Sequence, residues 1–165
     1  MGGSGIESID RALATSRLPE FPGLLELALR SREHARAPYS GFKVGAAVLG
    51  SSGNRYGGCN VESASYGATI CAERGAVAAA VAAGETAIRA CVVVTSTPSP
   101  STPCGICRQV LAEFGPDVAG YAASTEWQSV LAARLADLLP ASFGADDLAD
   151  AKMDRPADRP ADSDR

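Results

Sequence analysis

The sequence predicts an α/β domain of three layers, with a mixed five-stranded sheet packed between helices. Segments with the apolar spacing of helices alternate with short valine- and alanine-rich segments, the order expected of such a sandwich. Ala90-Cys91-Val92-Val93-Val94 is a continuous apolar run, the pattern of a strand covered on both faces. Residues 42–49 and 55–59 flank Gly50-Ser51-Ser52-Gly53-Asn54, a turn between two hairpin strands.

Residues 1–20 are expected to form a flexible N-terminal segment, glycine-rich at its start, ahead of a domain over 21–151. Leu24, Leu25, Leu27, Ala28 and Leu29 give residues 21–35 the apolar side of a helix, and Pro38 ends it because proline disfavours helical geometry in its predecessor. After the hairpin, Thr69 is placed to cap a helix running to residue 83, with Gly84 as its stop. Residues 89–95 then read as the covered strand and 96–103 as a proline- and serine-rich loop. A helix follows from the second cysteine pair to about residue 114, then a strand over 118–122. Residues 127–134 fit strand or helix by pattern alone; a strand is preferred because a covered sheet needs an edge. A last helical turn over 135–139 stops at Pro140, and the repeated Arg-Pro-Ala-Asp of residues 152–165 reads as a disordered tail. The helix near residues 76–83 is apolar on nearly every side, so it is expected to lie between the sheet and another subunit.

At 165 residues and 46% apolar content, the chain can bury one sizeable core. Only 5% of residues are aromatic, so that core must come from close packing of small side chains. No apolar stretch reaches the roughly 18 residues of a membrane span, and no basic region followed by a hydrophobic block marks a secretory start. The net charge of -4, with no run of lysine or arginine, argues against long nucleic acids and is indifferent to a small neutral ligand. Five cysteines, an odd number, suit reduced thiols in the cytoplasm: three for a metal, with Cys59 and Cys91 as small apolar residues.

Cys104 and Cys107 have the spacing that lets two sulfurs meet one tetrahedral ion; alone, the pair is also compatible with redox chemistry or incidental burial. Cys71, at a second helix start, supplies a third thiol and favours metal. Three cysteines hold a zinc ion and leave its fourth position to water. Both helix starts favour thiolate over thiol. Arg74 and Arg108 are either solvated or placed to hydrogen-bond the sulfurs and offset the surplus negative charge. Glu73, two residues from Cys71, is a proton carrier if the ion sits above the helix end, and otherwise a helix cap; Ala72 between them offers a free amide. Zinc-bound hydroxide can add to an electron-poor ring carbon while a carboxylate moves protons to a ring nitrogen and an exocyclic amine, which describes hydrolytic deamination of an aminopyrimidine. Peptide or ester hydrolysis can use the same parts.

Over residues 38–148 the chain resembles the cytidine deaminase family, in its small homotetrameric form. The resemblance rests on Pro38-Tyr39-Ser40-Gly41-Phe42-Lys43-Val44-Gly45-Ala46-Ala47, Gly58-Cys59-Asn60-Val61-Glu62, Ser65-Tyr66, and Cys71-Ala72-Glu73-Arg74. It continues through Pro103-Cys104-Gly105-Ile106-Cys107-Arg108-Gln109-Val110-Leu111 and Leu138-Leu139-Pro140-Ala141-Ser142-Phe143-Gly144. It implies one zinc per subunit on Cys71, Cys104 and Cys107, with Glu73 as proton shuttle. It implies that Phe42 packs on the nucleoside, and that Asn60 and Glu62, which read alone are turn residues, bond the ribose 3'-hydroxyl. Phe143, otherwise a core aromatic, would stack on the pyrimidine of a neighbouring subunit, and Tyr66 would lie near the subunit junction and the sugar. The expected reaction is cytidine and 2'-deoxycytidine to uridine and 2'-deoxyuridine, by hydroxide attack at C4 with release of ammonia.

Three residues depart from the family pattern. Ser63 stands where asparagine is usual, and Ala68 and Ala78 where larger side chains are usual, which bears on pocket shape and helix packing. Blasticidin deaminases share the zinc pattern, but Asn60, Glu62 and the Phe143 block favour a nucleoside. A polynucleotide-editing deaminase would be expected to carry a histidine ligand and a basic path for the strand. A structural zinc module needs a fourth ligand, and the sole histidine, His34, precedes the motifs.

Overall fold

A computed structural model describes residues 5–125 and 129–148. Its elements are β1 (Glu7–Ile9), α1 (Arg11–Arg17), α2 (Phe21–Glu33), β2 (Gly45–Gly50), β3 (Arg55–Cys59), α3 (Ala72–Ala82), β4 (Ile88–Thr95), α4 (Gly105–Ala112), β5 (Ala119–Ser124), β6 (Val130–Arg134) and α5 (Leu135–Leu138). The described strands form one sheet in the order β1-β6-β5-β4-β2-β3. Only β4 and β5 run parallel. Alternate residues of the central strands feed two cores. Ala47, Leu49, Val92 and Val94 pack under α1 and α2 with Phe21, Leu24 and Ala28, while Ala46, Val48 and Cys91 pack under α3 with Ala76, Val77 and Ala80. The run at residues 90–94 is unbroken because each of its faces belongs to a core.

The mixed sheet with helices on both sides is as expected, but it has six strands where five were expected. The sixth, β1, and the helix after it lie within residues 1–20, expected to be flexible. β1 pairs antiparallel with β6, Ile9 opposite Val130, and so covers an otherwise open edge; Asp10 then caps α1 by accepting from the Leu13 amide at 2.7 Å. The helix expected from Thr69 begins only at Ala72, with Cys71 as its N-cap residue, because a short 3₁₀ turn over Tyr66–Ala68 intervenes and the Thr69 hydroxyl accepts from Ser63 N instead. Gly84, at φ 93°, stops that helix as expected. The strand expected over 118–122 is displaced to Ala119–Ser124. The expected strand at 127–134 is β6; its residues 127 and 128, like the tail, lie outside the described residues.

Small residues set the helices close to the sheet. A Cβ on Gly45 would land on the Ala28 carbonyl of α2, and one on Gly58 on Ala76 N and Ala72 O of α3. The second approach matters for function, since it fixes the first turn of α3 beside β3.

Candidate active site

Two helix starts converge at one end of the sheet. Cys71 is the N-cap residue of α3 and Cys104 that of α4; both have extended backbone there, and Cys107 follows on the first turn of α4. The three sulfurs lie within 4.8 Å of one another, with Cys71 Sγ and Cys104 Sγ 3.8 Å apart. Sulfurs bound tetrahedrally to one zinc at about 2.3 Å are about 3.8 Å apart, so the thiols fit the ion with little movement. Burial pushes the Cys71 and Cys107 thiols up, while at Cys104 burial is outweighed by hydrogen bonds from the Cys107 amide and the other two thiols, which bring it down. A cation must therefore displace protons from the site, with the helix N-termini favouring the resulting thiolates.

Glu73, on the first turn of α3, is 4% exposed. Burial pushes its carboxyl up, against hydrogen bonds from its own amide and the Cys107 thiol. It faces a cavity of about 270 Å³ walled by Phe42, Asn60, Glu62, Cys71, Ala72 and Cys104 among others. A larger cleft of about 750 Å³ lies apart, between β1, α1 and the β5–β6 end of the sheet, and has no thiol in its wall.

The loop before β2 is pinned to the cavity by Asn60 and Glu62. Asn60 accepts from Val44 N and donates to the Phe42 carbonyl, both at 2.8 Å. Glu62 accepts from the Ser40 hydroxyl, from Tyr39 N at 2.9 Å and from Ser40 N at 3.3 Å; the Ser40 bond is the main cause of its carboxyl lying below the usual range. Asn60 keeps one donor and one acceptor site, and Glu62 one acceptor site, for further partners. Ser40, Thr69, Thr95, Ser101 and Thr102 also line the cavity, and sequence reasoning missed all five as site residues. Four of them lie in loops, where short hydroxyl side chains carry no periodic signal, and Thr95 is the last residue of β4.

The remaining expected residues lie elsewhere. Tyr66, 75% exposed, meets Tyr39 edge-on at 6.0 Å between ring centres, and Phe143 is 59% exposed; neither lines the cavity of this chain. Neither arginine bonds a sulfur. Arg74 reaches the Thr69 carbonyl at 3.4 Å. Arg108 donates to Pro103 O at 2.7 Å, Leu138 O at 3.1 Å and the Thr102 hydroxyl at 3.1 Å. Oxygen acceptors at the loop ends are within reach of both guanidiniums and are stronger partners than a neutral thiol. Ala68 and Ala78 are exposed, and Ser63 turns its own loop by accepting from Ser65 N at 3.1 Å. Cys91 is buried in the core, Cys59 is half-buried, and His34 is exposed beyond α2.

Three thiols able to hold one cation, with a buried carboxyl beside them on an α/β/α scaffold, define a zinc-dependent hydrolytic class of site. Residues 22–122 match the family described as the cytidine and deoxycytidylate deaminase zinc-binding region, and the chain belongs to that family. It is 42% identical over 128 residues to a cytidine deaminase of Halalkalibacterium halodurans, covering 77% of this chain and 96% of that one. A cytidine deaminase of Mycobacterium tuberculosis is 44% identical over 121 residues, covering 73% of this chain and 87% of that one. The crystal structure of cytidine deaminase from Burkholderia pseudomallei superposes with a TM-score of 0.70 at 45% identity, over 74% of this chain and 98% of that one.

Proposed function

We propose that the protein hydrolyses the exocyclic C–N bond of cytidine and 2'-deoxycytidine, giving uridine and 2'-deoxyuridine with release of ammonia. The observation that carries this reading is the buried Glu73 carboxyl sharing one cavity with Cys71 and Cys104, two of the three clustered thiols. Cys71, Cys104 and Cys107 would hold zinc, which when bound would supply a Lewis acid able to make water a nucleophile at neutral pH. Glu73 takes a proton from that water as it adds to C4 and gives it to the adjacent ring nitrogen. The same carboxyl then moves the proton of the new C4 hydroxyl to the amine, which leaves as ammonia as the carbonyl forms. The Ala72 amide adjoins the same end of the cavity.

Phe42 packs on the nucleoside, while Asn60 and Glu62 use their remaining bonding capacity on the 3'-hydroxyl. A free base lacks that hydroxyl and forgoes both bonds, which discriminates against it. Phe143 serves the cavity of a neighbouring subunit, with Tyr66 near the junction, in a homotetramer. Exposed Val81, Ile106, Tyr66 and Phe143, together with the exposed alanines of α3, support such burial between copies. Among the described residues no helix is long and apolar enough to cross a membrane. Five free cysteines, three of them assigned to metal, suit the reducing cytoplasm.

A substrate panel of cytidine, 2'-deoxycytidine, cytosine and blasticidin S, followed by ammonia release, tests the reading. Turnover of the two nucleosides and not of cytosine is expected; turnover of blasticidin S alone would overturn it.

A further inference from the structure

The helix that carries two of the thiols also holds the segment ending at Phe143. From adjacent positions on α4, Arg108 donates to the carbonyl of Leu138 at 3.1 Å and Gln109 donates to that of Phe143 at 2.8 Å. The second Gln109 contact, to Glu113 Oε1 at 3.3 Å, is also made by its amide nitrogen, which sets the amide's orientation toward two acceptors. Between the two tethers the chain has no regular structure from Leu139 to Gly144, and Ala141 sits at φ 53°, a left-handed conformation that a residue with a Cβ adopts only at a cost. A segment of that kind keeps one shape only when it is held at both ends. Arg108 simultaneously ties Thr102 and Pro103, immediately before Cys104, to the same guanidinium.

We propose that Gln109 is a positioning residue for the reaction, acting through Phe143, with Arg108 as its partner. The two side chains lock the 138–143 segment to the thiol-bearing helix, so the exposed ring of Phe143 is presented at a fixed place relative to the metal end of its own subunit. This inference rests on the reading in which Phe143 stacks on the pyrimidine in a neighbouring copy. Gln109 is the better site to test because its bond to Phe143 is at the surface, whereas Arg108 is partly buried and holds three loop positions at once.

The test compares Gln109→Ala, Gln109→Glu, Phe143→Ala and the double variant Gln109→Ala/Phe143→Ala in the full zinc-loaded protein, measuring kcat and KM for cytidine, zinc per chain and oligomer size. One hydrogen bond at the level of about 0.5–1.5 kcal/mol corresponds to about two- to twelvefold. KM is expected to rise by about that factor in Gln109→Ala, and in Gln109→Glu, which lacks the donor at the same length, with zinc and oligomer size unchanged. The double variant is expected to be no worse than Phe143→Ala, since both changes act on one ring. An unimpaired Phe143→Ala overturns the Phe143 reading and this inference with it. An impaired Phe143→Ala with a normal Gln109→Ala, or with losses that multiply in the double variant, overturns the positioning role alone.

Discussion

At the residue scale, the site depends on a few atoms whose types are fixed by their tasks. Three soft sulfurs lie close enough together to hold one cation, and beside them the Glu73 carboxyl is buried where water is scarce. Replacing Cys107 by alanine leaves two thiols, so zinc per chain is expected to fall well below one, the melting temperature to drop and turnover to vanish, as metal analysis and calorimetry can show. These residues were legible in the sequence because helix starts and the two-residue spacing restrict where a thiol can point. The hydroxyls of Ser40, Ser101 and Thr102 were not, since loops bring them together and no pattern records it. For Arg108 the sequence indicated a residue close to the metal end but not its partners, two of which are main-chain oxygens that look alike in every sequence.

At the element scale, close approach of backbone to backbone holds the catalytic turn. A methyl group at Gly58 collides with the main chain of α3 at Ala72 and Ala76, which flank Glu73. Gly58→Ala is therefore expected to cost about 1–3 kcal/mol in chemical denaturation and to lower turnover more than stability alone explains. The far end of the same helix is tied differently. Glu85 accepts from the Tyr56 hydroxyl at 3.0 Å, from Ser52 N at 3.2 Å and from the hydroxyls of Ser51 and Ser52, and these bonds, Ser52 first, hold its carboxyl below the usual range. A depressed carboxyl contributes stability above its unfolded pKa and loses it as pH falls through the folded pKa. The melting temperature of the wild type should therefore exceed that of Glu85→Gln at neutral pH and converge on it in acid; a constant gap across pH would contradict this. The helices and central strands could be read from periodicity, because their burial is local in pattern. β1 could not: three residues become a strand only because the edge of β6, more than a hundred residues away, needs a partner.

At the scale of the whole molecule, the cavity of one chain and two of the residues expected to serve it lie apart. Phe42, Asn60, Glu62 and Glu73 share a cavity, while Phe143 and Tyr66 stand on the surface, as do Ala78, Ala79 and Ala82 of α3. The helix near residues 76–83, apolar on nearly every side, was expected to lie against another subunit, and its Ala78, Ala79, Val81, Ala82 and Ala83 are exposed in the single chain. If copies complete each other's pockets, mixed oligomers of Phe143→Ala and Glu73→Gln chains are expected to turn over faster than either variant alone, because some pockets then combine an intact carboxyl with an intact ring. Assay of co-expressed chains checks this; activity no greater than the sum of the two variants contradicts shared sites.

Zinc content and cytidine turnover, measured in one preparation of Glu73→Gln beside the wild type, decide whether Glu73 is the proton carrier. That role predicts about one zinc per chain in both, with turnover of the variant lower by on the order of 10²–10⁴ or more, the loss that follows removal of a proton carrier. Turnover equal to the wild type with zinc in place would contradict it.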